Sequence, residues 1–255
     1  MKQTFFWLLP ALALAGAVVW YFSLKNSQRF QSPSLETPAP PPPAIRYPVR
    51  PSEQPAEPLP TLSESDGAVR DALAALFGKD LEKIFNLQNI IHRIVATIDN
   101  LPRDSVPLRL MPVKPVPGIF VTTRVGEDLS ISPKNSARYN PYVHLAEAVP
   151  TEALVAVYRR FYPLFQEQYE DLGYPGRYFN DRLIEVIDHL LEAPEPDQAV
   201  LLSQPGVLYQ FSDPKLERLS AGQKILLRMG RENALKVKEK LREIRQALVS
   251  KAPSG

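Results

Sequence analysis

An almost wholly apolar run of twenty residues lies near the N-terminus, FFWLLPALALAGAVVWYFSL at positions 5–24. As a helix rising about 1.5 Å per residue, it covers about 30 Å, the thickness of the hydrocarbon core of a bilayer. Lys2 precedes the run and Lys25 follows it, and aromatic rings lie near both ends, where they favour the membrane interface. The run therefore predicts a transmembrane anchor that follows a short N-terminal tail, residues 1–4.

A cleaved signal peptide is the alternative, because the small residues of ALAGA at 13–17 resemble a cleavage site. The apolar run continues past them, which favours an uncleaved anchor. The same small residues would let two such helices approach closely, so a homo-oligomer stays open as an alternative. The basic residues on the two sides nearly balance, and the short tail favours an N-terminus inside the cell. We therefore expect a single-pass inner-membrane protein whose C-terminal domain lies in the periplasm.

The segment that follows, residues 25–60, is rich in proline. It holds eleven prolines between Pro33 and Pro60, and no glycine lies between them. Such a composition buries too little apolar surface to fold, and it favours an extended polyproline form. We predict a disordered spacer here. A ligand for proline-binding domains around Pro40–Pro43 is the weaker alternative.

Helical periodicity dominates from residue 61 to residue 250, ahead of a short disordered tail at 251–255. Two β-type segments, 119–132 and 199–211, each contain a glycine turn and predict hairpins. The predicted fold is a mainly α domain with two small β-hairpins. Helices are expected over about 65–76, 80–98, 151–172 and 180–192, then after Asp213, after Ser220 and after Gly230.

Cysteine content and charge narrow the function. The chain has no cysteine, which excludes disulfides, thiolate nucleophiles and cysteine-based zinc sites. Residues 61–214 carry 14 Lys/Arg against 21 Asp/Glu, a net −7, and residues 215–255 carry 11 against 4, a net +7. The two parts would attract each other, or each would attract a different partner. The basic final helix is interpreted as a solvated face, with anionic lipids or a polyanionic envelope polymer as the alternative.

One helix has a concentrated polar face, FNDRLIEVIDHLLEAPEP at 179–196. At about 100° per residue its polar and apolar side chains separate cleanly, which is typical of any half-buried surface helix. A metal or acid–base site would need a second acidic helix facing it, and Glu167 and Glu170 are the weak candidates. The polar side holds Asp181, Arg182, Glu185, Asp188, His189 and Glu192.

Asp99 lies where a predicted helix ends, and a negative charge there opposes the helix dipole. This position predicts a cationic partner: Arg103 from one turn further on, or Arg138 or Arg182 from another segment. A buried structural salt bridge is favoured over a ligand site.

Aromatic residues form a second candidate set. Two pairs of tyrosines, in RYNPYV and in GYPGRYF, are predicted to lie in loops beside arginine. Such rings suit stacking on glycans or peptides. The four residues are Tyr139, Tyr142, Tyr174 and Tyr178.

Catalytic signatures are missing from the sequence. The three histidines are dispersed, and the chain contains no phosphate loop, metalloprotease motif or nucleic-acid recognition motif. We therefore expect no cofactor, no nucleic-acid partner and no enzyme activity. The expected role is a binding or scaffold module for an envelope protein or glycan. A carboxylate-dependent envelope hydrolase, with or without a metal, is the alternative.

Five long stretches occur in this order: VATIDNLPR, RYNPYV, YPLFQEQYEDLGYP, FNDRLIEVIDHLLEAPEP and YQFSDPKLERLSAGQKILLRMG. In these stretches the chain resembles the proteobacterial family known as domain of unknown function 3014, over about residues 61–250. The resemblance implies a membrane-tethered domain behind a variable linker. It implies no activity and assigns no role to any residue.

Overall fold

The computed structural model of the protein describes residues 44–49 and 58–250. The predicted anchor at 5–24 and both predicted tails lie outside these residues. Within the described part of the chain, no helix combines the length and the apolar character that a membrane span needs. The same part contains nine α-helices and one antiparallel sheet of four strands, which confirms a mainly α domain.

The helices are α1 (Asp66–Phe77), α2 (Leu81–Ile84), α3 (Ile90–Asn100), α4 (Lys134–Ala148), α5 (Thr151–Asp171), α6 (Phe179–Leu191), α7 (Pro214–Glu217), α8 (Ala221–Arg228) and α9 (Arg231–Val249). The strands are β1 (Thr122–Val125), β2 (Asp128–Ile131), β3 (Leu201–Ser203) and β4 (Gln210–Phe211). Short 3₁₀ turns occupy Leu62–Glu64, Gly78–Asp80 and Leu108–Leu110.

The main core forms around α5, which packs against α1, α3 and α6. Phe161 and Phe179 are among the largest fully buried side chains, and the rings of Phe165 and Phe179 stack with centroids 5.7 Å apart. The long helix α9 packs against α4, α5 and α6. The helices therefore bury the apolar faces that their periodicity predicted.

Local signals are present at two helix starts and at one helix end. The side chain of Ser220 accepts from the backbone N–H of Gln223 in a reciprocal capping box at the start of α8. Asp213 caps α7, with Pro214 in the favoured first position. Gly173 follows α5 with a φ of 101°, a conformation that glycine adopts without steric strain.

The two predicted hairpins form, and they join into one sheet with the order β1-β2-β3-β4. The pair Leu129–Leu202 connects β2 to β3. Leu202 is buried against Phe211 and against Leu227 of α8. The hairpins merge because neither alone could cover its apolar face, and together they pack on α8.

The prediction of one helix over 80–98 is wrong, because the chain leaves the helical path between α2 and α3. The backbone N–H of Asn86 donates to the carbonyl of Pro112 at 2.8 Å. This stretch therefore pairs with the loop over 101–117, named here the proline-rich loop. Asp66 then caps α3 by accepting from the backbone N–H groups of Asn89 (2.7 Å) and Ile90 (3.1 Å). Asn89 has a φ of 50°, which asparagine tolerates better than most residues.

The prediction of a loop around RYNPYV is also wrong, because these residues form the middle of α4. Pro141 lies inside the helix, where it lacks the N–H that would bond to the carbonyl four residues earlier. The helix persists because it packs along α9. The side chain of Asn233 on α9 donates to the carbonyl of Ser136 at 2.9 Å and to the side chain of Asn140 at 3.1 Å.

Candidate functional site

Asp99 lies near the end of α3 and is only 5% exposed. Its carboxylate accepts hydrogen bonds from Arg103 Nη2 (2.5 Å), Arg182 Nε (3.1 Å) and the hydroxyl of Tyr174 (3.0 Å). Arg182 Nη2 also donates to the carbonyl of Asp99 at 3.0 Å, which satisfies an acceptor at the helix end. The predicted buried pairing of Asp99 is confirmed for Arg103 and Arg182.

The third predicted partner, Arg138, does not reach Asp99. It lies on α4 and donates to the carbonyls of Pro117 and Gly118, both at 2.8 Å. In the pairing that does form, the charge of Asp99 raises the pKa of Arg103. This network is therefore an internal electrostatic clamp between α3, α6 and the loop that carries Tyr174.

Asp181, on the polar face of α6, binds a segment that the sequence placed in the linker. The backbone N–H groups of Arg46 and Tyr47 donate to its two carboxylate oxygens, at 3.0 Å and 2.8 Å. The side-chain amide of Asn180 donates to the carbonyl of Tyr47 at 2.8 Å. Residues 44–49, named here the strap, are thus held along α6 by three hydrogen bonds.

The sequence predicts a helix over 180–192, and its first residue, Asn180, belongs to a type that often caps helices; Asn180 does not cap α6. The helix begins one residue earlier, at Phe179, and Asn180 is fully buried. Its side-chain oxygen accepts from the hydroxyl of Tyr158 at 3.0 Å. Tyr47 of the strap packs beside it against the apolar cluster of α5, α6 and α9.

The rest of the α6 polar face contacts other helices. Arg245 of α9 donates to both carboxylate oxygens of Asp188, at 2.5 Å from Nε and 3.1 Å from Nη2, and these hydrogen bonds raise the pKa of Arg245. His189 Nε2 lies 2.8 Å from the hydroxyl of Ser220, the residue that caps α8. Glu185, mostly exposed, pairs with Arg182 at 3.0 Å.

The acidic residues proposed for a metal do not converge. Glu185 lines a cavity of about 610 Å³ beside the strap, together with Tyr178, whereas Glu167 lines a separate cavity beside His92. Among residues 44–49 and 58–250, no three His, Asp or Glu side chains lie close enough together to hold a metal ion.

The four candidate tyrosines have separate environments. Tyr174 belongs to the Asp99 network, and Tyr178 precedes α6 in a loop, as predicted. Tyr142 lies on α4 and donates to the proline-rich loop at the carbonyls of Lys114 or Pro115, each 3.2 Å away. Only Tyr139, with its neighbour Arg138, lines an open apolar cavity.

That cavity, named here the sheet groove, has a volume of about 370 Å³ and lies between the sheet, α4 and α8. The ring centroids of Phe120 and Tyr209 are 5.8 Å apart. The guanidinium of Arg228 lies over the ring of Phe211, 5.8 Å from its centroid. Four aromatic rings and two guanidinium groups line the groove: Phe120, Tyr139, Tyr209, Phe211, Arg138 and Arg228.

Exposed apolar side chains continue this surface. Leu208 lines the groove and is 77% exposed, and its neighbour Val207 is 90% exposed. Ile119, next to Phe120, is 84% exposed. Burial raises the pKa of Tyr139, and the charges of Arg138 and Arg228 oppose that shift. The groove thus combines apolar surface with positive charge.

The sequence did not predict this groove as a site, although Arg138 and Tyr139 were both candidate residues. The available signal was the uncharged stretch from residue 198 to residue 212, which was interpreted only as a hairpin. The groove needs Tyr139 from α4 and Arg228 from α8 beside that hairpin, and no local pattern brings them together.

No curated protein and no solved structure matches the chain. One family profile, described as "Protein of unknown function (DUF3014)", matches residues 90–245. The matched segment begins with α3 and ends within α9, so it includes the Asp99 network, the polar face of α6 and the sheet groove. The strap and α1 lie before it. Because the match covers more than half of the 255 residues, the chain belongs to the DUF3014 family of proteins of unknown function.

Proposed function

We propose that this protein is a membrane-tethered, non-catalytic binding module whose helical domain faces the cell envelope and holds a partner there. The observation that carries the proposal is the sheet groove, an open cavity lined by aromatic and arginine side chains and continued by exposed aliphatic ones. Contiguous surface of this kind marks interaction sites on soluble domains. Aromatic residues and arginine also dominate the energetics of protein interfaces.

The polar residues support a binding role over a catalytic one. A general acid or base has to reach the proton of a reacting group. Asp99 is occupied by two guanidinium groups and a phenol, Asp181 by two backbone N–H groups, and Asp188 by Arg245. These carboxylates hold segments of the protein together, whereas the aromatic and arginine side chains of the groove line an open cavity.

The tether and the location rest on the sequence. The apolar run at 5–24 is long enough to cross a bilayer, and the proline-rich residues after it would separate the domain from the lipid. The proposed location is the inner membrane with the domain in the periplasm. The proposed partner is an envelope protein or glycan that binds in the sheet groove.

Photocrosslinking in cells tests the binding role. A photoreactive amino acid replaces Leu208 at the groove in the full-length chain, or replaces Lys83, an exposed residue of α2 outside the groove. We expect discrete crosslinked species from position 208 and none of the same size from position 83. Identical patterns from the two positions, or no adduct from position 208, would contradict the proposal.

Fractionation tests the tether. The full-length chain should stay with the membrane after an alkaline carbonate wash, and a variant lacking residues 1–24 should be released. Recovery of the full-length chain in the aqueous fraction without detergent would remove the membrane part of the proposal.

A further inference from the structure

We infer that the sheet groove binds a protein segment in which an aliphatic or aromatic side chain lies next to a carboxylate. This inference rests on the proposed function and names the chemistry of its partner. Two features of the groove support the inference: its apolar surface and its positive charge.

The apolar part of the groove is a preformed binding surface for an apolar side chain. Phe211 is 5% exposed and lies in the groove, and Phe120 and Tyr209 contact each other through their rings. Leu208 extends the same surface outward. The volume of about 370 Å³ falls within the range of about 300–1,000 Å³ that is typical of ligand sites. An aliphatic or aromatic side chain would lose its hydration there and gain contact with several rings.

The charge in the groove has one sign. Two arginines line it, and within the described part of the chain no acidic residue does. Arg138 donates to the neutral carbonyls of Pro117 and Gly118 and to the side-chain oxygen of Asn135, so its positive charge is not neutralised. The structure therefore offers positive charge to whatever occupies the groove.

Arg228 is the cation best placed to bind an acid. Its guanidinium lies over the ring of Phe211, and among residues 44–49 and 58–250 it forms no salt bridge. Glu217 is near enough to feel the charge of Arg228, but its oxygens are bonded to other groups: one accepts from Lys224 at 2.9 Å and the other from the backbone N–H of Phe211 at 2.8 Å. A guanidinium presents a fork of donors that matches the two oxygens of a carboxylate.

Two other modes of occupancy fit the groove less well. The backbone N–H of Phe211 on the edge strand β4 donates to Glu217, so an added β-strand could not bond there. Two copies of this chain meeting groove to groove would bring arginines against arginines. Residues 198–212, which form the exposed hairpin, carry no acidic side chain to relieve that repulsion. An acidic, apolar segment of another protein satisfies both surfaces.

The test uses the full chain purified in detergent and two fluorescent nonapeptide libraries. Both libraries carry a central Leu or Phe; Asp or Glu flanks it in one library, and Lys or Arg in the other. Fluorescence polarisation should show that the acidic library binds about tenfold more tightly, as expected for one charge-assisted contact. Raising the ionic strength to about 1 M, where the Debye length is about 3 Å, should remove most of that preference.

Arg228→Gln should lower the preference about tenfold, to near unity, because the variant keeps a polar side chain and loses the charge. Arg228→Lys should retain part of the preference, which separates loss of charge from disturbed packing. Arg124→Gln is the matched control, because Arg124 is an exposed arginine of β1 outside the groove. It should leave the preference unchanged.

Equal binding of the two libraries, no binding of either, or a preference that survives Arg228→Gln would overturn the inference. Preferential binding of a neutral envelope oligosaccharide in the same assay would overturn it too. If crosslinking from position 208 still yields discrete partners in these cases, the binding role stands and only the partner chemistry fails. If position 208 yields none, the proposed function itself fails.

Discussion

At the end of α3 the carboxylate of Asp99 opposes the helix dipole, and three side chains stabilise it there. The two arginines contribute unequally to the stability of this network. The side chain of Arg182 is 18% exposed, so little solvent screens its attraction to Asp99, whereas that of Arg103 is 53% exposed and contributes less. Arg182 also satisfies the backbone carbonyl of Asp99. The pairing between α3 and α6 is therefore the stronger part of the network.

Asp99→Ala is expected to lower the free energy of unfolding by about 2–4 kcal/mol, because it removes the anion that pairs with the largely buried Arg182 and the acceptor of the Tyr174 hydroxyl. Urea titration and the Tm of the purified domain would measure the loss. Glu185→Ala is the matched control, since Glu185 pairs with the same arginine at an exposed site and should cost less than about 1 kcal/mol. Equal losses in the two variants would show that Asp99 has no special structural role.

Buried tyrosines predict sensitivity to alkaline pH. Burial raises the pKa of Tyr162 and of Tyr169 from 10.0 to about 12. Between these pH values the unfolded chain loses protons that the native state keeps. The free energy of unfolding is therefore unaffected by these groups below pH 10 and falls as the pH rises toward 12. The slope is at most about 1.4 kcal/mol per pH unit for each group, and it is smaller for Tyr162, whose side chain is only partly buried. Tyr169→Phe should remove the contribution of one tyrosine to this pH dependence. Denaturant unfolding between about pH 10 and pH 12 would measure it. An unchanged pH dependence would contradict the raised pKa of Tyr169.

The helix α6 connects several segments of the domain. Its apolar side packs in the core, as the periodicity predicts, and its polar side contacts the strap, α3, α8 and α9 through different residues. The polar side, interpreted as that of a half-buried surface helix, thus also forms contacts to other segments, while Glu185 and Glu192 stay exposed. The face was predictable from the sequence because polar and apolar residues recur with the helical period.

The strap predicts a local effect of Asp181. Asp181→Ala should speed amide hydrogen exchange at Arg46 and Tyr47 by about tenfold, because both backbone N–H groups lose their acceptor. Exchange within the main core around Phe161 should stay the same. Asp181→Asn keeps one acceptor oxygen and should have a smaller effect. Fast exchange of both amides in the unmodified chain would contradict a bound strap.

Helix α8 approaches the end of α3 closely at Gly222. We expect that a side chain at this position would destabilise the domain. The Gly222 N–H donates to the carbonyl of Leu101 at 2.9 Å, and an added Cβ would lie 2.5 Å from Cδ2 of Leu190. Gly222→Ala should therefore lower stability by about 1–3 kcal/mol. Gly67→Ala in α1 is the control, because its Cβ meets nothing within 4 Å, and it should raise stability slightly. Similar Tm values for the two variants would contradict this packing.

Across the whole domain, the basic C-terminal part attracts the acidic part, which was one of two predicted outcomes. Lys238 is the extreme case: it is 2% exposed and donates to the carbonyl of Ala193 at 2.6 Å and to Glu195 at 2.5 Å. Glu195 has a lowered pKa because of its hydrogen bond to Lys238. Other ion pairs between the two parts are Lys236–Glu147, Arg231–Asp197 and Arg245–Asp188.

These pairs predict that salt destabilises the domain. Raising the NaCl concentration to about 1 M should lower the free energy of unfolding by about 1–2 kcal/mol, because the more exposed pairs are screened. Urea titrations at low and high salt would measure the change. Arg245→Gln should reduce the salt dependence. A rise in stability with salt would show that the charge separation serves a purpose other than cohesion.

Much of the domain followed from its sequence, and particular residues show where prediction stopped. The capping box at Ser220, the glycine after α5 and both hairpins were predictable, since each depends on residues a few positions apart. The pairing of Asp99 was predictable in kind because an acid at a helix end needs a cation. Its choice of Arg182 over Arg138 was not, since both lie in distant segments.

By itself, the sequence determined a mainly helical domain after an apolar and a proline-rich segment, because hydrophobic periodicity and turn chemistry act over short ranges. Only the tertiary structure decided that α4 is a helix despite Pro141, that residues 44–49 bind α6, and that one apolar groove carries two arginines. Each of these depends on contacts between residues far apart in the chain, such as the 135 positions between Arg46 and Asp181. Such contacts form only when the core brings the elements together, so no local pattern encodes them.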